Sequence, residues 1–367
     1  MTFPQIRTHA EATAPIVIDG GLGTAAEDRG IDLDHDLWSA ELIRRNPDAL
    51  AEVHAAFAAS GARILTTASY QATPLGFERA GIGAAEGRRI VTESVRIARA
   101  AATAAAGIES EGTGTAAATP HRVPAAANAN AGEASAAATS AGPAHILIAG
   151  SVGPYGAALG DGGEYTGAYR LNSEEYASFH RPRIEALAEA GADLLAIETQ
   201  PRLDEIRAIM NLAEEVGLPA WVSVTLQAGT DTTPHDCPTL PDGSSLAELA
   251  EAASVSVAVK AIGVNCVRPS IVAPALAELA RHTQLPLVAY PNSGETYDAA
   301  ALAWAGERTE AGTNSSPVAG VETWPVAEWA RLGAQIIGGC CRVRPADIAV
   351  LSGGLEPTGC QGPTGDR

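Results

Sequence analysis

The sequence predicts a single (β/α)8 barrel, an α/β fold in which parallel strands alternate with covering helices. Three observations carry this expectation. Short continuous apolar runs (IVID, ILIAG, LLAIE, AWVSVTL, PLVAY, QIIG) recur along the chain, as strands buried on both faces require. Patterns of helical period lie between them. Eight such alternations fit a closed barrel better than the rival arrangement, a Rossmann-like domain followed by a second domain.

The expected strands, in order, are 16–19, 63–67, 145–149, 193–198, 220–226, 261–265, 286–290 and 335–338. A helix expected over 47–60 places apolar residues at helical spacing and stops at Gly61, a residue type suited to the position after a C-cap. The next clear one, over 173–190, opens on Asn172, Ser173 and two Glu and stops at Gly191; Pro182 inside it predicts a kink. Stretches 203–216, 245–254, 271–282 and 326–332 complete the series. The barrel domain is expected to span 1–351. Residues 107–143 are of low complexity without apolar period and read as an insertion hanging from the N-terminal face, opposite the face where barrel active sites lie. Lengthening a surface loop costs little entropy. Residues 352–367 read as a flexible tail.

Composition narrows the function classes. With 367 residues, 46% hydrophobic and 18% charged, the chain can bury a sizeable core and is not disordered throughout. No apolar run approaches the roughly 20 residues of a membrane helix, and no basic-then-apolar leader opens the sequence. A net charge of −19 argues against nucleic acid as a partner. Five cysteines are too few for a disulfide scaffold at this length, so a cytoplasmic protein with reduced thiols is expected. Nothing in the pattern sets an oligomeric state.

Three of those cysteines stand at strand ends. Cys266 ends the sixth strand in AIGVNC, and Cys340 and Cys341 end the eighth in QIIGGCC. These ends can converge on one ion, and three thiolates at about 2.3 Å suit Zn²⁺ with a fourth position open. Gly338 and Gly339 would let the backbone bend so that both adjacent thiols face inward. A disulfide between neighbours, or three buried small side chains, are the rival readings. Cys237 and Cys360 lack a strand-end position, and the scattered histidines form no ligand spacing. Asp19, followed by Gly20 and Gly21, ends the first strand, and Glu198 ends the fourth. Together they can hold an amino acid, carboxylates on its ammonium and backbone amides on its carboxylate; an ion pair or a helix cap is the alternative. GLGTAA after the first strand matches a relaxed dinucleotide fingerprint, but no long helix follows it.

The chain resembles the homocysteine S-methyltransferase family. The likeness rests on DGGLGT, LWSAELIRRNPDALAEVH, TTASYQATPLGF, GSVGPYGAALGDGGEY, AIETQP, GVNC, YPNSGETYD and GGCC, and covers nearly everything but the insertion and the two ends. It implies a (β/α)8 barrel, zinc held by Cys266, Cys340 and Cys341, and homocysteine as methyl acceptor. Asp19 and Glu198 match positions expected to contact its amino group. The TASYQAT and YPNSGE segments are most similar to the branch using S-methylmethionine or S-adenosylmethionine; betaine-using relatives carry a longer C-terminal extension, and cobalamin-dependent ones further domains. Selenohomocysteine or selenocysteine as acceptor, another donor, or a zinc-holding barrel without turnover are the competing expectations.

Overall fold

The computed structural model describes residues 14–33, 37, 39–112, 145–227, 238–294, 296–298, 303–305 and 320–355. Its centre is an eight-stranded sheet of parallel neighbours: Ile16–Val17, Ile64–Thr66, Leu147–Val152, Leu194–Gln200, Ala220–Val224, Val259–Asn265, Leu287–Tyr290 and Ala334–Ile337. The order around the sheet follows the chain, and a parallel bridge between Ile18 and Ile64 joins the first strand to the second. Helices surround it, giving the (β/α)8 barrel. Apolar runs without alternation form its strands because one face meets the helices and the other the barrel axis. All seven residues of Leu194–Gln200 are buried.

Two apolar layers result. Ile18, Ile64, Ala149, Leu194, Ala196, Trp221, Ala261, Val288, Tyr290 and Ile336 form the inner one, a packed axis rather than a pore. Alanine on three of these strands leaves the volume that the fully buried Trp221 takes. The outer layer lies under helices such as Leu203–Val216, which buries Leu203, Ile206, Ile209, Met210 and Ala213 at spacings of three and four. Local signals set the helix ends. Asn172 with Glu175, and Ser245 with Glu248, make capping boxes, and Gly217 closes Leu203–Val216 at φ 71°, a conformation that favours glycine.

Each expected strand has its counterpart, and so does each named helix. Helix Ser173–Glu189 runs unbroken through Pro182. Helix Ala84–Gly112 continues into the segment read as an insertion, and helix Pro345–Leu355 continues past residue 351. The sequence reading lacked the antiparallel pair Thr296–Asp298 and Ala303–Ala305, which follows the seventh strand. Residues 113–144 and 356–367 lie outside the described residues, as do Cys237 and Cys360. No helix among the described residues is long and apolar enough to cross a membrane.

Candidate metal and substrate site

At the C-terminal ends of the strands, Cys266, Cys340 and Cys341 bring their sulfurs within 4.8 Å of one another. The Cys266 and Cys341 sulfurs are 3.7 Å apart, and those of Cys340 and Cys341 4.0 Å apart. Ligands at about 2.3 Å on a tetrahedron stand about 3.8 Å apart, so the three thiols fit one tetrahedral ion. All three are free thiols. Hydrogen bonds from Cys340 and Cys341 hold the Cys266 thiol well below the usual thiol range, and the same contacts push the Cys340 and Cys341 thiols well above it.

The backbone reason for adjacent inward thiols differs from the expected one. Neither Gly338 nor Gly339 adopts positive φ; the left-handed turn falls on Arg342, at φ 66°. The two glycines serve close approach. A Cβ on Gly338 would stand 2.4 Å from Ile18 Cγ1 and 2.8 Å from the Asp19 carbonyl; on Gly339 it would stand 2.2 Å from Val343 Cγ1.

Two buried carboxylates face the same cavity, whose volume is about 1020 Å³. Thr66 holds Asp19, its amide donating to Oδ2 at 2.7 Å and its hydroxyl to Oδ1 at 3.0 Å. Ser151 donates to Glu198 Oε1, and Tyr290 donates to Oε2 at 3.1 Å. Burial pushes the Asp19 carboxyl up to about 8 and that of Glu198 up to about 7, against the opposing pull of these donors. Each carboxyl is thus costly to ionise until a cation joins it. Of the two glycine amides expected to serve a ligand, that of Gly21 is already given to the Val343 carbonyl, at 2.8 Å.

Sequence reasoning missed the residues that aim these groups. Trp221, in the barrel axis, donates its indole N–H to the Tyr290 hydroxyl at 3.0 Å, and that hydroxyl bonds Glu198. Asn265 grips Thr199 from both sides, accepting its amide and donating to its hydroxyl, each at 2.7 Å, which secures the φ of 57° directly after Glu198. The same amide nitrogen lies 3.9 Å from Cys340 Sγ. Strand-end position was the signal available for Tyr290 and Asn265. Glu164 and Tyr165 come from the short helix Gly163–Thr166 beyond the third strand, and the Tyr165 hydroxyl is 3.4 Å from Cys266 Sγ.

Residues 16–354 match the model of a family described as homocysteine S-methyltransferase. The chain belongs to the homocysteine S-methyltransferase family. The homocysteine S-methyltransferase of Escherichia coli K12 is 39% identical over 337 residues, covering 92% of this chain and 94% of that one. Selenocysteine methyltransferase of Astragalus bisulcatus is 36% identical over 356 residues, covering 95% and 96%. In structure, the metallated form of the homocysteine methyltransferase MmuM from Escherichia coli superposes with a TM-score of 0.73 at 34% identity, over 94% of this chain and 97% of that one. This family member therefore has a cysteine cluster able to bind metal at the mouth of its barrel, beside a cavity large enough for small-molecule substrates.

Proposed function

We propose that the protein transfers a methyl group from a sulfonium donor, S-methylmethionine or S-adenosylmethionine, to the sulfur of homocysteine, giving methionine. One observation carries this reading: three thiols at tetrahedral spacing share a cavity with two buried, cation-seeking carboxylates. Cys266, Cys340 and Cys341 would hold zinc, since an all-thiolate tetrahedral set suits that ion. Bound zinc supplies one thing, an acceptor sulfur kept as thiolate at neutral pH in the position the three cysteines leave open.

The chain's own residues do the rest. Asp19 and Glu198 receive the homocysteine ammonium, whose arrival favours their ionised forms and displaces any proton held there. The Gly20 amide serves the amino acid's carboxylate. With its two ends fixed, the acceptor presents a sulfur lone pair to the donor methyl. A carbon–sulfur bond forms as the sulfonium carbon–sulfur bond breaks, and the electron pair of the broken bond stays on the donor sulfur. The leaving group is a neutral thioether, so no proton donor is needed. The likeness to a selenocysteine methyltransferase supports a second acceptor of the same geometry, a selenol. A reduced thiol cluster is consistent with a cytoplasmic protein.

The test is a donor panel, S-methylmethionine, S-adenosylmethionine, betaine and a methyl-corrinoid, with homocysteine and then selenocysteine as acceptor, scoring the methylated product. Methionine from a sulfonium donor is expected, and a panel in which neither sulfonium gives methionine rejects the reading. Elemental analysis should find about one zinc per chain. Cys341→Ala should lose metal and activity together; full metal content and rate in that variant would refute the ligand set.

A further inference from the structure

Glu164 is a carboxylate that the reading above leaves without a task. It sits in the helix Gly163–Thr166, one residue before Tyr165, whose hydroxyl approaches Cys266 Sγ at 3.4 Å. It lines the same cavity as the thiols, Asp19 and Glu198. Its Oε2 is closed off from solvent and has no hydrogen-bond partner among the described residues. Asp19 and Glu198, by contrast, have donors on both oxygens.

The surrounding backbone fixes this placement. Gly163 donates its amide to Asp161 Oδ1 at 3.0 Å. A Cβ on Gly156 would stand 2.4 Å from the Gly163 carbonyl carbon, so the two short helices of this loop pack backbone against backbone. The Glu164 backbone amide bonds its own carboxylate, and Oε2 is the oxygen left without a donor among the described residues. An enclosed carboxylate oxygen without a donor makes the anion unfavourable unless a cation completes it.

We infer that Glu164 is the counter-ion of the donor's sulfonium pole, and that it selects donors bearing a permanent positive charge at the reacting atom. The inference rests on the methyl-transfer reading. The acceptor's ammonium is already provided for by two other carboxylates. The donor's ammonium lies several bonds from the methyl group, whereas Glu164 lines the cavity of the thiol cluster where the methyl must be delivered, close enough for the Cys266 charge to act on its carboxyl. A sulfonium has no N–H or O–H to donate, so a carboxylate with one oxygen lacking a hydrogen-bond donor suits it. A sulfonium cannot shed its charge by losing a proton, and a low-dielectric cavity then demands a fixed anion.

The expected signature separates this role from a merely structural one. Positive charge leaves the donor sulfur as the methyl departs, so Glu164 stabilises the bound donor at least as much as the transition state. Its removal should raise the donor KM while kcat holds or rises.

The experiment uses the metal-loaded full chain and the variants Glu164→Gln and Glu164→Asp. Calorimetry without homocysteine measures the affinity of S-methylmethionine and of dimethylsulfoniopropionate, a sulfonium without an ammonium. Glu164→Gln should weaken both by at least about tenfold, less than the full cost of unpairing a buried ion. Its metal content and homocysteine KM should match those of the wild type, and Glu164→Asp should recover part of the affinity. Unchanged affinity for both sulfoniums overturns the inference, as does a loss confined to S-methylmethionine, which would assign Glu164 to the donor's ammonium. A Glu164→Gln protein that loses metal or raises the homocysteine KM overturns it in favour of a role in the cluster or acceptor site. Wild-type protein that binds neither sulfonium and makes no methionine overturns the underlying reading as well; normal wild-type turnover with an unaltered Glu164→Gln protein overturns the inference alone.

Discussion

Thr199, Cys266 and Arg342 are the non-glycine residues that adopt positive φ among the described residues, at 57°, 53° and 66°. Cys266 belongs to the thiol cluster, Arg342 directly follows it in sequence, and Thr199 lines the same cavity. Such conformations cost of the order of 1–3 kcal/mol each and persist where surrounding structure enforces them. Asn265 enforces the first through two side-chain bonds, and Glu198 directly precedes that turn. Glu198 itself is held unprotonated only at a cost, which makes a pH-dependent prediction. Its carboxyl is raised from 4.5 to about 7, burial being the largest cause. A raised carboxyl contributes stability present below its unfolded value and lost as pH rises through the folded value. Without homocysteine, wild-type stability should therefore fall as pH rises from 5 to 8, and Glu198→Gln should lack that part of the fall. The same variant should lose at least about tenfold in kcat/KM for homocysteine, since charge-assisted bonds contribute roughly 1.5–3 kcal/mol. Thermal melts across pH and homocysteine kinetics check both; equal melting at all pH values, or normal kinetics, would count against the assignment.

Between elements, the loops above the second and third strands are tied to the helices by one buried arginine. Arg183, in helix Ser173–Glu189, donates to the carbonyls of Tyr70 at 2.5 Å and Gly153 at 2.6 Å, and to His180 Nδ1 at 2.8 Å. His180 Nε2 then donates to Glu205 Oε1 at 2.7 Å, and Glu205 Oε2 accepts from Tyr169 at 2.6 Å. Accepting at Nδ1 requires the neutral ring, in accord with burial lowering its pKa. Arg183→Ala strands two loop carbonyls and His180 Nδ1 and removes the buried cation near Glu205, so we expect a loss of about 3 kcal/mol in stability. Arg181→Ala, two residues away in an exposed pair with Glu215, should barely move the melting temperature. Comparable shifts for the two would refute the distinction. None of this network could be read from sequence, because no spacing marks which buried polar groups meet across helices. The strands were legible for the opposite reason: continuous apolar runs such as LLAIE have few solutions other than a two-faced burial. Asp19, Glu198 and the three cysteines were legible because strand ends in a barrel point to one mouth. Glu164 was not, since it belongs to a loop helix whose approach to Cys266 depends on the contact of Gly156 with Gly163.

For the molecule as a whole, the barrel separates a chemical end from an end where chain can be added. Asp19, Cys266 and Cys340 follow the C-terminal ends of their strands, and Glu198 lies in the last three residues of its own. Leu147, by contrast, is the N-terminal start of the third strand, so the described chain resumes after helix Ala84–Gly112 at the opposite end of the barrel. The helix and the strand that flank this connection are already secured without it. Leu147 pairs with Ile64 and Ala149 with Leu194, and Arg99 and the Ile148 amide both reach the Asp193 carboxylate, at 2.7 Å each. A connection between elements so anchored costs little to shorten, because closure entropy grows only slowly with length. We therefore expect deletion of residues 113–139 to leave methionine formation within a few-fold of the wild type and metal content unchanged, with the melting temperature equal or slightly raised. Steady-state kinetics and a thermal melt of the purified deletion protein decide it. A folded deletion protein that keeps its metal yet loses two orders of magnitude in turnover would mean that this segment reaches around to the substrate end, and the separation of the two ends would have to be abandoned.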